Sequence, residues 1–227
     1  MTKKNKIIDL TFSLHDGMPT YPSPLHVPFE SNLLGSIDKD GRETRSFKMG
    51  SHCGTHIDAP KHFIKNGKSI VEYDVNDLVG EALLIDLGKM KPNSTIKVND
   101  FKNQLEHYNK DKAIRRVLFR TNWSQYWGTD QYYKNWPYFE KESINYIIDS
   151  NIKLIGLDFP SPDCQFYGTN CSEDSPNHKL LFNSDIILAE YLTNLNLLDK
   201  GMIYVSILPL KLVDFDGAPA RVTAYNL

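Results

Sequence analysis

The sequence has 227 residues, 41% of them hydrophobic, with 26 Lys+Arg against 28 Asp+Glu, seven His and three Cys. This length suits one large domain with a sizeable core, and a formal charge of −2 argues against a protein whose main work is gripping nucleic acid, which needs a clustered basic surface. No apolar run approaches the roughly 20 residues that span a bilayer, and the basic start at residues 1–6 lacks an apolar segment of signal-peptide length, so a soluble, cytoplasmic protein without a membrane partner is expected.

In chain order, a β-rich run at 6–11 is followed by the proline-punctuated stretch Met18-Pro19-Thr20-Tyr21-Pro22-Ser23-Pro24, which cannot be a helix interior. Residues 36–45 are polar around Asp40-Gly41 and suit a turn between two strands. Further β-branched or Leu-rich runs lie at 82–87, 116–121, 153–158, 185–189, 202–207 and 221–225, several too apolar to have a wet face. Between them, 98–108 reads as a helix opened by Asn99, and 139–149 as a helix with Phe139, Ile144, Ile147 and Ile148 near one face. Phe159-Pro160-Ser161-Pro162-Asp163 reads as a loop. Strands alternating with helices predict an α/β fold around a mixed sheet, and no composition break divides residues 1–227. Cys53, Cys164 and Cys171 have no zinc-knuckle spacing and are expected to be reduced thiols.

One stretch carries chemistry: Ser51-His52-Cys53-Gly54-Thr55-His56-Ile57-Asp58-Ala59-Pro60-Lys61-His62. Three of the seven histidines fall in it beside a carboxylate, and imidazole with carboxylate is a donor set for zinc, manganese or iron. A helix would turn Asp58 away from His56, and Pro60 forbids a helix interior. In an extended chain His56, Asp58, Pro60 and His62 share a side, with His56 and Asp58 roughly 6.6 Å apart at the backbone. His52 would stand about 13 Å from His56 on a straight chain, so the chain must bend, and Gly54 permits it. Cys53 has the opposite parity and is expected to pack. Phe12, Tyr21 and Trp123 are candidate aromatic walls for a flat substrate, while His15, His26 and His107 fit no ligand spacing. Read alone, His178 is a surface or capping residue and Glu190 a charge at a strand end.

The stretch resembles the motif His-x-Gly-Thr-His-x-Asp-x-Pro-x-His of the metal-dependent cyclase-like hydrolases, which include bacterial kynurenine formamidase and isatin hydrolase. It is matched at His52, Gly54, Thr55, His56, Asp58, Pro60 and His62. The likeness extends to Ile8-Asp9-Leu10-Thr11, Gly17-Met18-Pro19-Thr20-Tyr21-Pro22, Arg120-Thr121-Asn122-Trp123, Gly156-Leu157-Asp158 and Asp216-Gly217-Ala218-Pro219-Ala220-Arg221. It implies one cyclase-like domain over 1–227 with a mixed, barrel-like sheet flanked by helices. It also implies a first metal on His52, His56 and Asp58, and a second on Asp58, His178 and Glu190. Zinc is the expected ion, one or two per chain, with manganese as an alternative. His62 takes the general acid/base role in hydrolysis of an amide-type carbonyl by metal-bound hydroxide, the substrate being an N-formyl arylamine such as N-formylkynurenine, or a cyclic amide. The small-molecule substrate and a homodimer or homotetramer are the expected partners. Two rivals stand beside this reading: a non-heme iron oxygenase using His56, Asp58 and His178, and a non-catalytic metal-dependent binder of a small molecule.

Overall fold

The computed structural model describes residues 6–110, 113–167 and 173–227; the basic start up to residue 5 and Cys171 lie outside the described residues. The chain runs β1 (Ile8–Asp9), β2 (Glu30–Gly35), α1 (Ile37–Asp40), β3 (Thr44–Lys48), β4 (His56–Asp58), α2 (Val75–Leu78), β5 (Val79–Asp86), β6 (Thr95–Ile96), α3 (Val98–Asn109), β7 (Arg116–Arg120), β8 (Tyr138–Phe139), α4 (Lys141–Asp149), β9 (Leu154–Leu157), α5 (Pro176–Asn183), β10 (Ile187–Glu190), β11 (Gly201–Pro209) and β12 (Gly217–Asn226). Seven strands close into a barrel in the order β12-β11-β5-β7-β9-β10-β4, with β4 returning to β12. β5, β7, β9 and β10 are parallel, while β11, β12 and β4 run antiparallel to their neighbours. This is the mixed, barrel-like α/β fold expected.

The parallel strands are buried on both faces because the barrel interior covers one side and the helices the other. Inside, Ile57, Leu84, Leu118, Leu154, Ala189, Ile203, Val205 and Val222 form one apolar cluster. Outside, Phe101 and Leu105 of α3, Ile144 and Ile147 of α4, and Leu181 of α5 pack on Leu83, Phe119, Ile155 and Leu188. The two parities along each strand separate these layers.

Residues 36–45 form the turn expected between two strands. There α1 ends at Gly41 in the left-handed region (φ 69°), and β2 pairs with β3. Two local expectations are corrected. The cap of α3 is Lys97, whose N–H donates to Asp100 Oδ2 (2.7 Å), so Asn99 lies within the helix. Phe139 belongs to β8, paired with Ile96 of β6, and α4 begins only at Lys141. Ile144 and Ile147 are buried as expected, but Ile148 is half-buried. Among the described residues no helix is long and apolar enough to cross a membrane.

Candidate metal centre

The His-rich stretch follows the geometry its spacing demands up to Asp58. Gly54 adopts φ 63°, bending the chain so that the His52 and His56 rings come to 5.0 Å between centroids. A Cβ at Gly54 would meet Leu14 Cδ2 at 2.7 Å. Gly54→Ala is therefore expected to lose about 1–2 kcal/mol of stability from the left-handed backbone alone and to retain less metal, as read by thermal melting and metal content. Thr55 secures the bend: its hydroxyl accepts from Phe12 N–H (3.0 Å) and donates to the Tyr191 carbonyl (2.6 Å). β4 then pairs Asp58 with Leu188 and His56 with Glu190 on one edge, and Asp58 with Gly217 on the other. Ile57 and Ala189 point into the barrel, so His56, Asp58 and Glu190, of opposite parity, leave by the outer face.

The extended run does not continue to His62. Pro60–His62 is a 3-10 turn, with His62 N–H donating to the Ala59 carbonyl at 2.9 Å. The turn still brings the His62 ring to 4.0 Å from that of His52.

Asp58 is the centre of the cluster. Its Oδ1 lies 2.7 Å from His52 Nδ1 and 3.0 Å from His56 Nε2, and its Oδ2 lies 3.6 Å from His178 Nε2. Glu190 faces the same two imidazoles, Oε2 at 3.6 Å from His56 Nε2 and Oε1 at 3.4 Å from His178 Nε2. His178 arrives from the first turn of α5, a helix that sequence reading did not assign although Pro176 at its first position is a start signal. Thus all five residues assigned to metal by resemblance converge, as two overlapping triads, His52/His56/Asp58 and Asp58/His178/Glu190.

Each imidazole is held from behind. His56 Nδ1–H donates to the Gly54 carbonyl (2.8 Å), His178 Nδ1–H to Asp163 (2.6 Å) and His52 Nε2–H to Asp216 (2.9 Å), which turns the other ring nitrogen toward Asp58. Such outer acceptors fix ring tautomer and raise ligand basicity. The electrostatics agree with a cation site. Burial opposes charge on His52, but Asp58 and Asp216 outweigh it and hold the imidazolium up to about 10. For His178 burial is likewise overcome, here by Asp163, Asp58 and Glu190, and its pKa lies well above the usual range. Burial would raise Asp58, yet His52 and His56 hold it well below the ordinary carboxylate value, whereas burial and Asp58 push Glu190 up. Positive charge on His52 and His178 compensates two carboxylates that are only 1% (Asp58) and 4% (Glu190) exposed, as a cation between them would. Glu190 Oε1 finds no aligned hydrogen-bond donor among the described residues. The N/O donor set and this unsatisfied oxygen fit a divalent metal.

The cluster floors a cavity of about 560 Å³, with His62, Tyr21, Phe63, Trp136 and Tyr167 among its walls. Tyr21 was expected there; Trp123 and Phe12 are not. Trp123 is fully buried with its Nε1–H on the Tyr132 carbonyl (2.9 Å), and Phe12 stacks on Trp127 (4.2 Å) and faces a separate cavity. His26, expected to be structural, lines the site cavity; burial, with His52, His62 and His56 nearby, pushes its pKa down to about 4. Cys53 packs as expected, its thiol against Met18 and pushed up to about 11 by burial. Sequence reading missed Asp216, and gave Asp163 and Asp158 no role. Asp163 accepts from the N–H groups of Asn177 and His178 as well as from the His178 ring, capping α5. Asp158 accepts from Thr121 N–H and Oγ1–H and from Asn122 N–H, and burial raises its pKa to about 6.

The family model Cyclase matches residues 8–164. A kynurenine formamidase of Erythrobacter litoralis is 30% identical over 227 residues, covering 99% of this chain and 95% of the relative. Isatin hydrolase A from Labrenzia aggregata, bound to benzyl benzoate, superimposes with a TM-score of 0.85 at 26% identity, covering 97% of this chain and 93% of that one. A protein from Bacillus stearothermophilus described as a predicted metal-dependent hydrolase gives 0.73 at 28% identity, covering 98% of each chain. The motif spanning His52 to His62 lies inside the matched segment, and both sequence and fold are shared along nearly the whole length, so the chain belongs to the cyclase family.

Proposed function

We propose that this protein is a metal-dependent hydrolase acting on a non-peptide C–N bond, with an N-formyl arylamine such as N-formylkynurenine or a cyclic amide such as isatin as substrate. The observation that carries this reading is the convergence of three oriented imidazoles and two buried carboxylates on the floor of a cavity that His62 also lines. His52, His56 and Asp58 would hold one ion, and Asp58, His178 and Glu190 a second. A divalent cation there supplies Lewis acidity toward a carbonyl and an acidified water at neutral pH. Zinc is the preferred ion, though nitrogen and oxygen donors without a thiolate would also accept manganese.

His62 takes the proton from the attacking water and returns it to the leaving nitrogen when the C–N bond breaks. The walls Tyr21, Phe63 and Trp136 receive the flat aromatic part of the substrate. The working form is a cytoplasmic homodimer or homotetramer, supported by Leu33, Leu34, Ile37 and Phe47, which leave apolar surface exposed on the β2–β3 hairpin; sedimentation reads this directly.

Metal quantitation on chelator-free protein, combined with assays on N-formylkynurenine and isatin, tests the function. His62→Ala should keep its metal and lose turnover by about 10²–10⁴-fold. Loss of metal in that variant would remove His62 from the acid/base role. Activity that requires iron and O2 and stops anaerobically would replace the hydrolase reading with an oxygenase. Absence of turnover on a broad amide and lactone panel would leave a binder.

A further inference from the structure

A carboxylate outside both ligand triads touches the two histidines with different duties. Asp216 Oδ2 lies 3.0 Å from His62 Nδ1 and 2.9 Å from His52 Nε2. We propose that Asp216 is a positioning residue for the reaction, its one oxygen accepting from both rings and so fixing His62 in the tautomer that leaves Nε2 free for proton transfer. This rests on the acid/base role given to His62 above. A carboxylate can only accept here, so the proton must sit on His62 Nδ1 and the lone pair on Nε2. When Nε2 takes a proton from the attacking water the ring becomes an imidazolium, and the negative charge at Asp216 stabilises it until the proton passes to the leaving nitrogen.

The backbone makes Asp216 a fixed point. Its carbonyl accepts from Ala59 N–H (2.8 Å), the neighbouring Phe215 carbonyl accepts from Ile70 N–H (2.9 Å), and Lys61 pairs with Asp214. The next residue, Gly217, opens β12 opposite Asp58. A Cβ at Gly217 would lie 2.8 Å from His52 Cε1 and 2.9 Å from the Ile57 carbonyl oxygen, so glycine is what lets this turn press against the His52 ring. The other contacts of the His62 ring, whose side chain is 24% exposed, are packing on His52 (4.0 Å between centroids) and Phe63 (4.3 Å), which do not choose between its two nitrogens. Asp216 thus ties the acid/base to the start of β12, which pairs with the strand that carries His56 and Asp58.

The test compares wild type with Asp216→Ala, and with Asp216→Leu should the first fold poorly, in zinc-saturated protein. In the wild type the ¹⁵N shifts of His62 should report Nδ1–H; in the variants this tautomer should lose its dominance. With N-formylkynurenine as substrate, kcat should fall by about 10- to 100-fold with KM within about twofold, and the same substitution in a His62→Ala background should cost little more. An unchanged His62 tautomer in Asp216→Ala, which has no acceptor left at this position, would overturn the proposal. So would a full loss of rate in the His62→Ala background, which would mean that Asp216 works through His52 alone. The tautomer is read without turnover, so an inactive wild type would reject the functional reading while still deciding the role of Asp216.

Discussion

Replacing Asp58 with Ala should empty the metal centre and lower turnover by at least about a thousandfold, because Lewis acidity supplies several kcal/mol and each 1.4 kcal/mol is tenfold in rate. The size of the effect follows from position. Asp58 is the one residue common to both ligand triads, and its two oxygens face His52, His56 and His178 at 2.7, 3.0 and 3.6 Å. Without it Glu190 is the only carboxylate left between the rings, Asp216 and Asp163 holding His52 and His178 from behind, and the shared ligand of the two triads is gone. Metal content by plasma mass spectrometry, beside turnover of the same sample, reads both losses. Unchanged metal in Asp58→Ala would reject the proposed centre and the bridge it contains.

Trp123→Ala should cost about 3–5 kcal/mol, the range for truncating a fully buried aromatic. At this chain length that lowers the melting point by about 6–20 °C. The ring is 0% exposed, packs on Tyr126 at 4.8 Å between centroids and anchors its N–H on the Tyr132 carbonyl. Tyr132 meets Tyr191 edge-on at 5.6 Å, and Tyr191 in turn meets His56 at 5.0 Å. Trp123 therefore supports the wall behind the centre from a distance, so the surviving folded fraction should keep its KM. A loss below 1 kcal/mol accompanied by a large rise in KM would instead place the ring at the substrate.

What could be read from the chain follows the range of the forces involved. The strands at 82–87, 116–121 and 153–158 were legible because two-sided burial forces continuous apolar runs, and the bend at Gly54 because His52 and His56 could not otherwise share an ion. His178 and Glu190 came from resemblance alone. Nothing local distinguishes them, since the register of β10 on β4 and the placement of α5 create their role. Asp163 and Asp216 were missed for the same reason: each is a carboxylate in a turn, given meaning by a histidine distant in sequence. Trp123 and Phe12 were misplaced because an aromatic residue bears no local mark of which cavity, or none, it faces.

The strand that carries His56 and Asp58 is also the strand that closes the ring, held by residues 187–190 on one edge and 217–219 on the other. A nascent chain can make its His-rich segment early, but that segment has no edge to join until nearly the whole polypeptide has emerged. Contacts of such sequence separation pay their loop-closure entropy late in folding. An ion bound there would therefore stabilise only the closed barrel, tying segments far apart in sequence to one point.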